Sequence, residues 1–339
     1  MEKSKKAIEL PLVEPIYSTF HHQGSGASVI ESNPSIRNWY LNQGLFLRCN
    51  RKFLSGFTTP QLVIMGAIWF ENPYLEKIPF NTRFTKGYMH AIIHELLDQG
   101  YYVHYDGIDD YYVEGKTWYK EKHFSHDGLI CGYDQNDKTY MLYAYDSSWI
   151  YKTFKTPQAS LEKGRKAMAK QNLYVEFTGI KPKDTQVKYE IETVRQNLIQ
   201  YLDSSLEKYP PSINNWVHGL AVHDYLAMYV DKLLDGSIPY EKMDWRIFRI
   251  IWEHKKVMLE RLQKGEETLS LDSALSTEYQ KLVKEADTMR MLYASHHMKR
   301  RDSVLPIIRQ KLLSLKEKEQ VILTKFVENT ATKTFLRTY

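Results

Sequence analysis

The stretch "HDGLICGYDQNDKTYMLYAYD", His126–Asp146, decides how the first half of this chain folds. The run "GLICGY" is apolar and bounded by Asp127 and Asp134, and "TYMLYAY" is apolar and aromatic, so both read as strands. The polar "DQNDK" between them, residues 134–138, has the composition of a tight turn. Two antiparallel strands joined by such a turn bring their outer ends together. That places His126, at the start of one, beside Asp146, at the end of the other. A carboxylate next to an imidazole fixes its tautomer and stabilises the imidazolium.

Working outward, "GYYVHYDG" and "NLYVEFTG" read as further strands, and "TKGYMHAIIHELLDQG" and "TPQASLEKGRKAMAKQ" as helices. Thr156 is the expected cap of the latter, with Pro157 in its first turn. From about Val187 apolar residues recur at helical spacing through the segments beginning at residues 187, 213, 244, 273 and 304. The first of these should stop before Pro210 and Pro211. The expected fold class is α+β: an N-terminal half with an antiparallel sheet (residues 1–183), and an all-helical C-terminal half (184–339) packed on it, parted at the polar "GIKPKDTQ".

Composition narrows the function classes. The chain has 339 residues, 43% apolar and 26% charged, as in a soluble globular protein. Only Cys49 and Cys131 could pair, so a disulfide scaffold is excluded and a reducing compartment is expected. The N-terminus has no apolar run of signal-peptide length, and "PQLVIMGAIWF" is well short of the ~20 residues a membrane span needs. A cytoplasmic protein without a membrane partner is the expectation. The net charge of +5 is spread over helices that also carry acidic residues, which argues against a nucleic-acid partner and leaves room for an acidic protein partner.

A nucleophile for His126 is sought in "TFHHQGSGASVIESNPSIRNW", Thr19–Trp39. Gly24 and Gly26 should permit close approach of a substrate, and a helix starting near Ala27 would place Ser25 at its N-terminus until Pro34 ends or kinks it. Ser28 is the second choice. Gln23, or the backbone N–H of Ser25, would supply the oxyanion donor.

The motif "DGIDDYYVEGKTWYKEKHFSHDGLICGYD", with Asp146 after it, resembles the butirosin biosynthesis protein H family of papain-like acyltransferases, which includes amide synthetases of the closthioamide type. The resemblance covers about residues 17–180 and, more loosely, the helical part. It implies a papain-like catalytic half and a Cys–His–Asp triad. The activity it implies is acyl transfer from an acyl carrier protein thioester to a small amine in secondary metabolism, by way of an acyl-enzyme. Such chemistry needs no metal or organic cofactor, because the thioester holds the driving free energy. The departure is at the nucleophile: the family has cysteine where this chain aligns Ser25. A Cys→Ser replacement, a serine version and a non-catalytic binding relative all stay open, as does a peptidase or amidase in which water replaces the amine.

Other residues are candidates for binding substrate. Asp109 and Asp110 could take an amine end, Tyr111, Tyr112, Trp118 and Tyr119 could form the wall of an acyl tunnel, and His123 could line the same cleft as His126. Trp149 could shield the His–Asp pair. Ordinary turn or core packing is the alternative for each. His90 and His94 share a helix face at metal-ligand spacing, but no third ligand accompanies them and structural histidines are expected. Cys131 should be core; Cys49, between Arg48 and Arg51, could have a lowered pKa.

Overall fold

The computed structural model describes residues 6–56, 58–65, 69–204 and 215–337. Its strands are β1 (Ala7–Glu9), β2 (Phe46–Asn50), β3 (Leu62–Met65), β4 (Leu75–Asn81), β5 (Tyr102–Asp109), β6 (Ser125–Asp134), β7 (Thr139–Tyr145), β8 (Tyr151–Pro157), β9 (Glu176–Pro182) and β10 (Trp216–His218). Its α-helices are α1 (His21–Glu31), α2 (Pro34–Asn42), α3 (Thr82–Thr85), α4 (Met89–Asp98), α5 (Gln158–Ala169), α6 (Ile191–Asp203), α7 (Val222–Leu234), α8 (Ile247–Leu269), α9 (Ala274–Lys299) and α10 (Leu305–Arg337). The protein is thus α+β with antiparallel sheets and a helical C-terminal region. No helix among the described residues is long and apolar enough to cross a membrane.

The chain divides into two compact units, Met1–Arg37 with Ile68–Val187, and Asn38–Ala67 with Lys188–Tyr339. The boundary between residues 187 and 188 falls within a few residues of the one expected at 183/184. The single cut is corrected by residues 38–67, which belong to the second unit. There β2 pairs with both β3 and β10 in a three-stranded sheet, so "NNWVHG" contains a strand where a continuous helix was expected. The chain passing Pro210 and Pro211 lies outside the described residues.

In the first unit the strand order is β4-β9-β5-β6-β7-β8, with β1 continuing the line of β5 along β6. All pairings are antiparallel. Side chains alternate between the faces. Tyr140, Leu142 and Ala144 of β7 join Ile93 and Leu97 of α4 and Leu161 of α5 in one core. On the other face the Tyr145 hydroxyl donates to the Ser18 carbonyl at 3.1 Å, beside α1. Each fully buried Leu or Ile of this core contributes about 1.5–3 kcal/mol. The helix α5 is capped by the backbone of Pro157; Thr156 is a buried β8 residue and not the cap.

Candidate functional site

The first helix begins earlier than its sequence suggests. α1 starts at His21, so the N-terminal residues are His21, His22 and Gln23, and Ser25 lies one turn inside. The small residues serve packing rather than a substrate. A Cβ on Gly26 would come 1.9 Å from the Trp69 side chain, and one on Gly24 would come 3.1 Å from the Tyr151 hydroxyl. The Trp69 indole N–H donates to the His22 carbonyl. Each glycine costs a helix about 1 kcal/mol relative to alanine, which these close contacts offset. Pro34 opens the next helix, as its fixed φ favours.

Ser25 is therefore 0% exposed, and its hydroxyl meets Tyr151 Oη at 3.3 Å rather than His126. Ser28 is equally buried and donates to the Val13 carbonyl. The residue α1 does present to His126 is His21, whose ring lies nearly parallel to the imidazole with centroids 4.7 Å apart. Burial, then Lys116 and His126, push the His21 pKa down to about 3, so it stays neutral at ordinary pH. Gln23, the expected oxyanion donor, has its amide oxygen buried without a hydrogen-bond partner.

His126 does have a carboxylate partner, but not Asp146. Its Nδ1 is 2.6 Å from Asp110 Oδ2. The reason is that β6 has two neighbours. Its pairing with β7 reaches only to Leu129–Tyr143, whereas its pairing with β5 continues to Ile108–His126 and Asp109–Ser125. Asp110, just beyond β5, is held there by its N–H to the Phe124 carbonyl at 2.9 Å. The end of β7 instead turns away: Asp146 forms a backbone bridge with Lys116. Its carboxylate accepts from the N–H groups of Ser148 (2.8 Å) and Ile150 (2.9 Å) and pairs with Lys152 at 2.7 Å.

Asp110 is not open to a substrate amine as its sequence position suggests: it is 0% exposed and bound from both sides. Its Oδ1 lies 2.8 Å from the ammonium of Lys116, itself 0% exposed, which also donates to the Asp127 carbonyl at 2.8 Å. Burial alone would raise the Asp110 pKa, but Lys116 and His126 outweigh it and hold the group below the usual carboxylate range. Asp127, against the same burial, is held low by His104, His21 and Lys116. Lys116 is absent from the sequence reading because nothing in "EGKTW" marks a lysine for burial. The one local signal is Gly115, whose φ of +89° allows the turn that precedes Lys116.

The remaining candidates fall into two groups. His123 pairs with Asp109 at 2.8 Å and stacks on Tyr111 at 4.3 Å, and Tyr111 meets Tyr112 edge-on at 5.1 Å. Trp118 meets Trp149 edge-on at 5.2 Å, and Phe124 links Trp118 to His126 with a centroid distance of 4.4 Å to the imidazole. Trp149 lies beside the rings leading to His126, not over a His126–Asp146 pair. His90 bonds Tyr140 at 2.7 Å and His94 meets Gln158 at 3.1 Å, both structural contacts. Among the described residues no group of three or more His, Cys, Asp or Glu side chains is placed to hold a metal ion. Cys131 is buried core. Burial pushes the Cys49 thiol up to about 12, the opposite of the expected lowering, because its neighbouring arginines do not offset desolvation.

With the imidazole held by a buried carboxylate and its side chain 21% exposed, the site can accept and return a proton at Nε2. No protein-family model matches the chain, and no curated protein matches it.

Proposed function

We propose that the first unit is a papain-like acyl-transfer domain in which His126 is the general base and the amine acceptor attacks the thioester directly. The observation that carries this reading is the 2.6 Å contact between His126 Nδ1 and a fully buried Asp110. A neutral His126 that donates its Nδ1 proton to Asp110 keeps a lone pair on Nε2. The amine nitrogen forms a bond to the thioester carbonyl carbon and passes a proton to Nε2; the C–S bond then breaks, and the imidazolium returns the proton to the thiolate. Asp110, held as a carboxylate by Lys116, stabilises the imidazolium between these events. Ser25 takes no part, and no acyl-enzyme forms. The donor in this reading is an acyl carrier protein thioester, and the net charge of +5 suits an acidic carrier.

A second reading, a binding relative without turnover, is favoured by the His21 ring lying flat on one face of His126. The two separate in one experiment. The chain is mixed with an acyl thioester and a diamine, and both amide and intact protein mass are followed. Amide formation without a mass increase, lost in His126→Ala, is the expected result. Free acid as the sole product supports a hydrolase; an acyl adduct on the protein overturns direct attack; no reaction leaves the binding relative.

A further inference from the structure

The rings beside the dyad form a shelf, and we infer that Phe124, Trp118 and Trp149 together with Lys122 bind the aromatic acyl group and anionic arm of the acyl donor. This rests on the acyl-transfer reading for the donor's class. Binding itself is measurable without turnover.

The shelf is continuous with the reactive imidazole. Phe124 meets His126 edge-on at 4.4 Å, Trp118 follows at 6.5 Å from Phe124, and Trp149 stands perpendicular to Trp118 at 5.2 Å. Phe124 is 40% exposed and Trp149 48%. Perpendicular rings present a face and an edge at one corner. A flat ring satisfies both, stacking on one and meeting the other edge-on, whereas an alkyl chain gains only area.

Trp149 is also held where it is against its backbone preference. Its φ of +60° lies in the left-handed region, which a bulky side chain avoids. The turn that imposes it is built by Asp146, whose carbonyl accepts the Trp149 N–H at 2.9 Å and whose carboxylate accepts the next amides on either side. Asp146 thus serves the site as the residue that presents Trp149. A strained turn displaying a large apolar side chain to solvent, next to an oriented imidazole, has a purpose if a ligand covers the ring.

Lys122 supplies the charge. Its ammonium lies 5.4 Å from the Trp118 ring and 5.3 Å from the Phe124 ring, with no ion-pair partner among the described residues. Glu121 is its exposed neighbour in sequence. An ammonium set over the shelf favours a donor whose arm carries phosphate.

The test uses the full chain carrying His126→Ala, so that nothing turns over, and isothermal titration calorimetry. The probes are benzoyl-coenzyme A, acetyl-coenzyme A and benzoyl-N-acetylcysteamine. Benzoyl-coenzyme A is expected to bind roughly tenfold tighter than acetyl-coenzyme A. Adding Trp149→Ala should erase that preference, while Trp149→Tyr, which keeps a ring, should retain it. Lys122→Gln should weaken both coenzyme A thioesters several-fold, by roughly the loss of one charged contact, and leave benzoyl-N-acetylcysteamine unchanged. Equal binding of the benzoyl and acetyl thioesters, a preference that survives Trp149→Ala, or no binding of any probe overturns the shelf. If the pattern holds but wild-type protein transfers no acyl group to any amine, the shelf stands and the general-base reading falls.

Discussion

Each unit contains a lysine and a carboxylate paired at 0% exposure, and the two pairs differ in what surrounds them. In the first, Lys116 and Asp110 lie 2.8 Å apart, and the other carboxylate oxygen leads to His126, which reaches solvent. In the second, Lys255 of α8 lies 2.6 Å from Glu319 of α10, and every neighbour is sealed in. Tyr201 and Tyr279 both donate to Glu319, and His223 lies 3.6 Å from it. Taking two charges out of water costs several kcal/mol per ion, which close pairing and further hydrogen bonds must offset. Glu319 is saturated from inside the bundle, so its network specifies helix packing. Asp110 devotes one oxygen to a partly exposed imidazole, an arrangement that fixes the orientation of His126, as the proposed base would need.

The largest expected effect breaks the sealed network. Lys255→Met leaves the Glu319 carboxylate buried without its counter-charge. Chemical denaturation should show a loss of about 3–5 kcal/mol in the second unit. A change under about 1 kcal/mol would mean that water reaches Glu319 and that the two pairs are alike.

Acid sharpens the same contrast. Burial, then Lys255, push the His223 pKa down to about 4, below the ~6.5 of an exposed histidine. Above about pH 6.5 both folded and unfolded forms are neutral and the shift has no effect. As pH falls from there towards 4, the unfolded chain takes up a proton that the folded chain refuses, and stability declines by up to about 3 kcal/mol. The depressed carboxylates Glu319 and Asp110 act lower: their stabilisation is present above the unfolded value of about 4 and is lost as pH falls through their folded values. His223→Gln should flatten the decline between pH 6.5 and 4. An unchanged acid profile would show that His223 is not the sealed histidine described here.

His126→Gln is the counterpart in the first unit. It should lower acyl transfer at least roughly a hundredfold, equivalent to about 2.7 kcal/mol of barrier, while folding stability moves by less than about 1 kcal/mol. A stability loss as large as that of Lys255→Met, with transfer unaffected, would make the dyad structural.

What the sequence made legible follows the same division. Short apolar and aromatic runs bounded by turn residues marked β5, β6, β7 and β9, and apolar residues at helical spacing marked α4 to α10. His126 was legible as a strand-end imidazole. Its partner was not, because a strand with two neighbours can take a carboxylate from either, and only the β5 register, not the hairpin turn, decides for Asp110. The composition of residues 38–67 does not announce that β2, besides pairing with β3, pairs with a strand more than 150 residues away. Lys116, Lys255 and Glu319 were invisible for a simpler reason: charged residues are almost never fully buried, so sequence reading places them outside.

The smallest expected effect concerns Ser25, the residue the sequence put forward as nucleophile. Ser25→Cys exchanges one small buried group for another beside Tyr151, one turn inside α1. A thiol becomes reactive when a base or positive charge stabilises the thiolate, and burial in apolar surroundings opposes that. Cys49 and Cys131 show the same effect, each pushed up to about 12 by desolvation. The variant should therefore take no acyl label from a thioester, and its transfer rate should match that of the unaltered chain. Intact-mass spectrometry after mixing with an acyl thioester is the check, with Cys49→Ala and Cys131→Ala in the same chain so that any adduct reports position 25. An adduct there that disappears in His126→Ala would mean that α1 shifts to bring this position to the imidazole. Direct attack by the amine would then give way to an acyl-enzyme route.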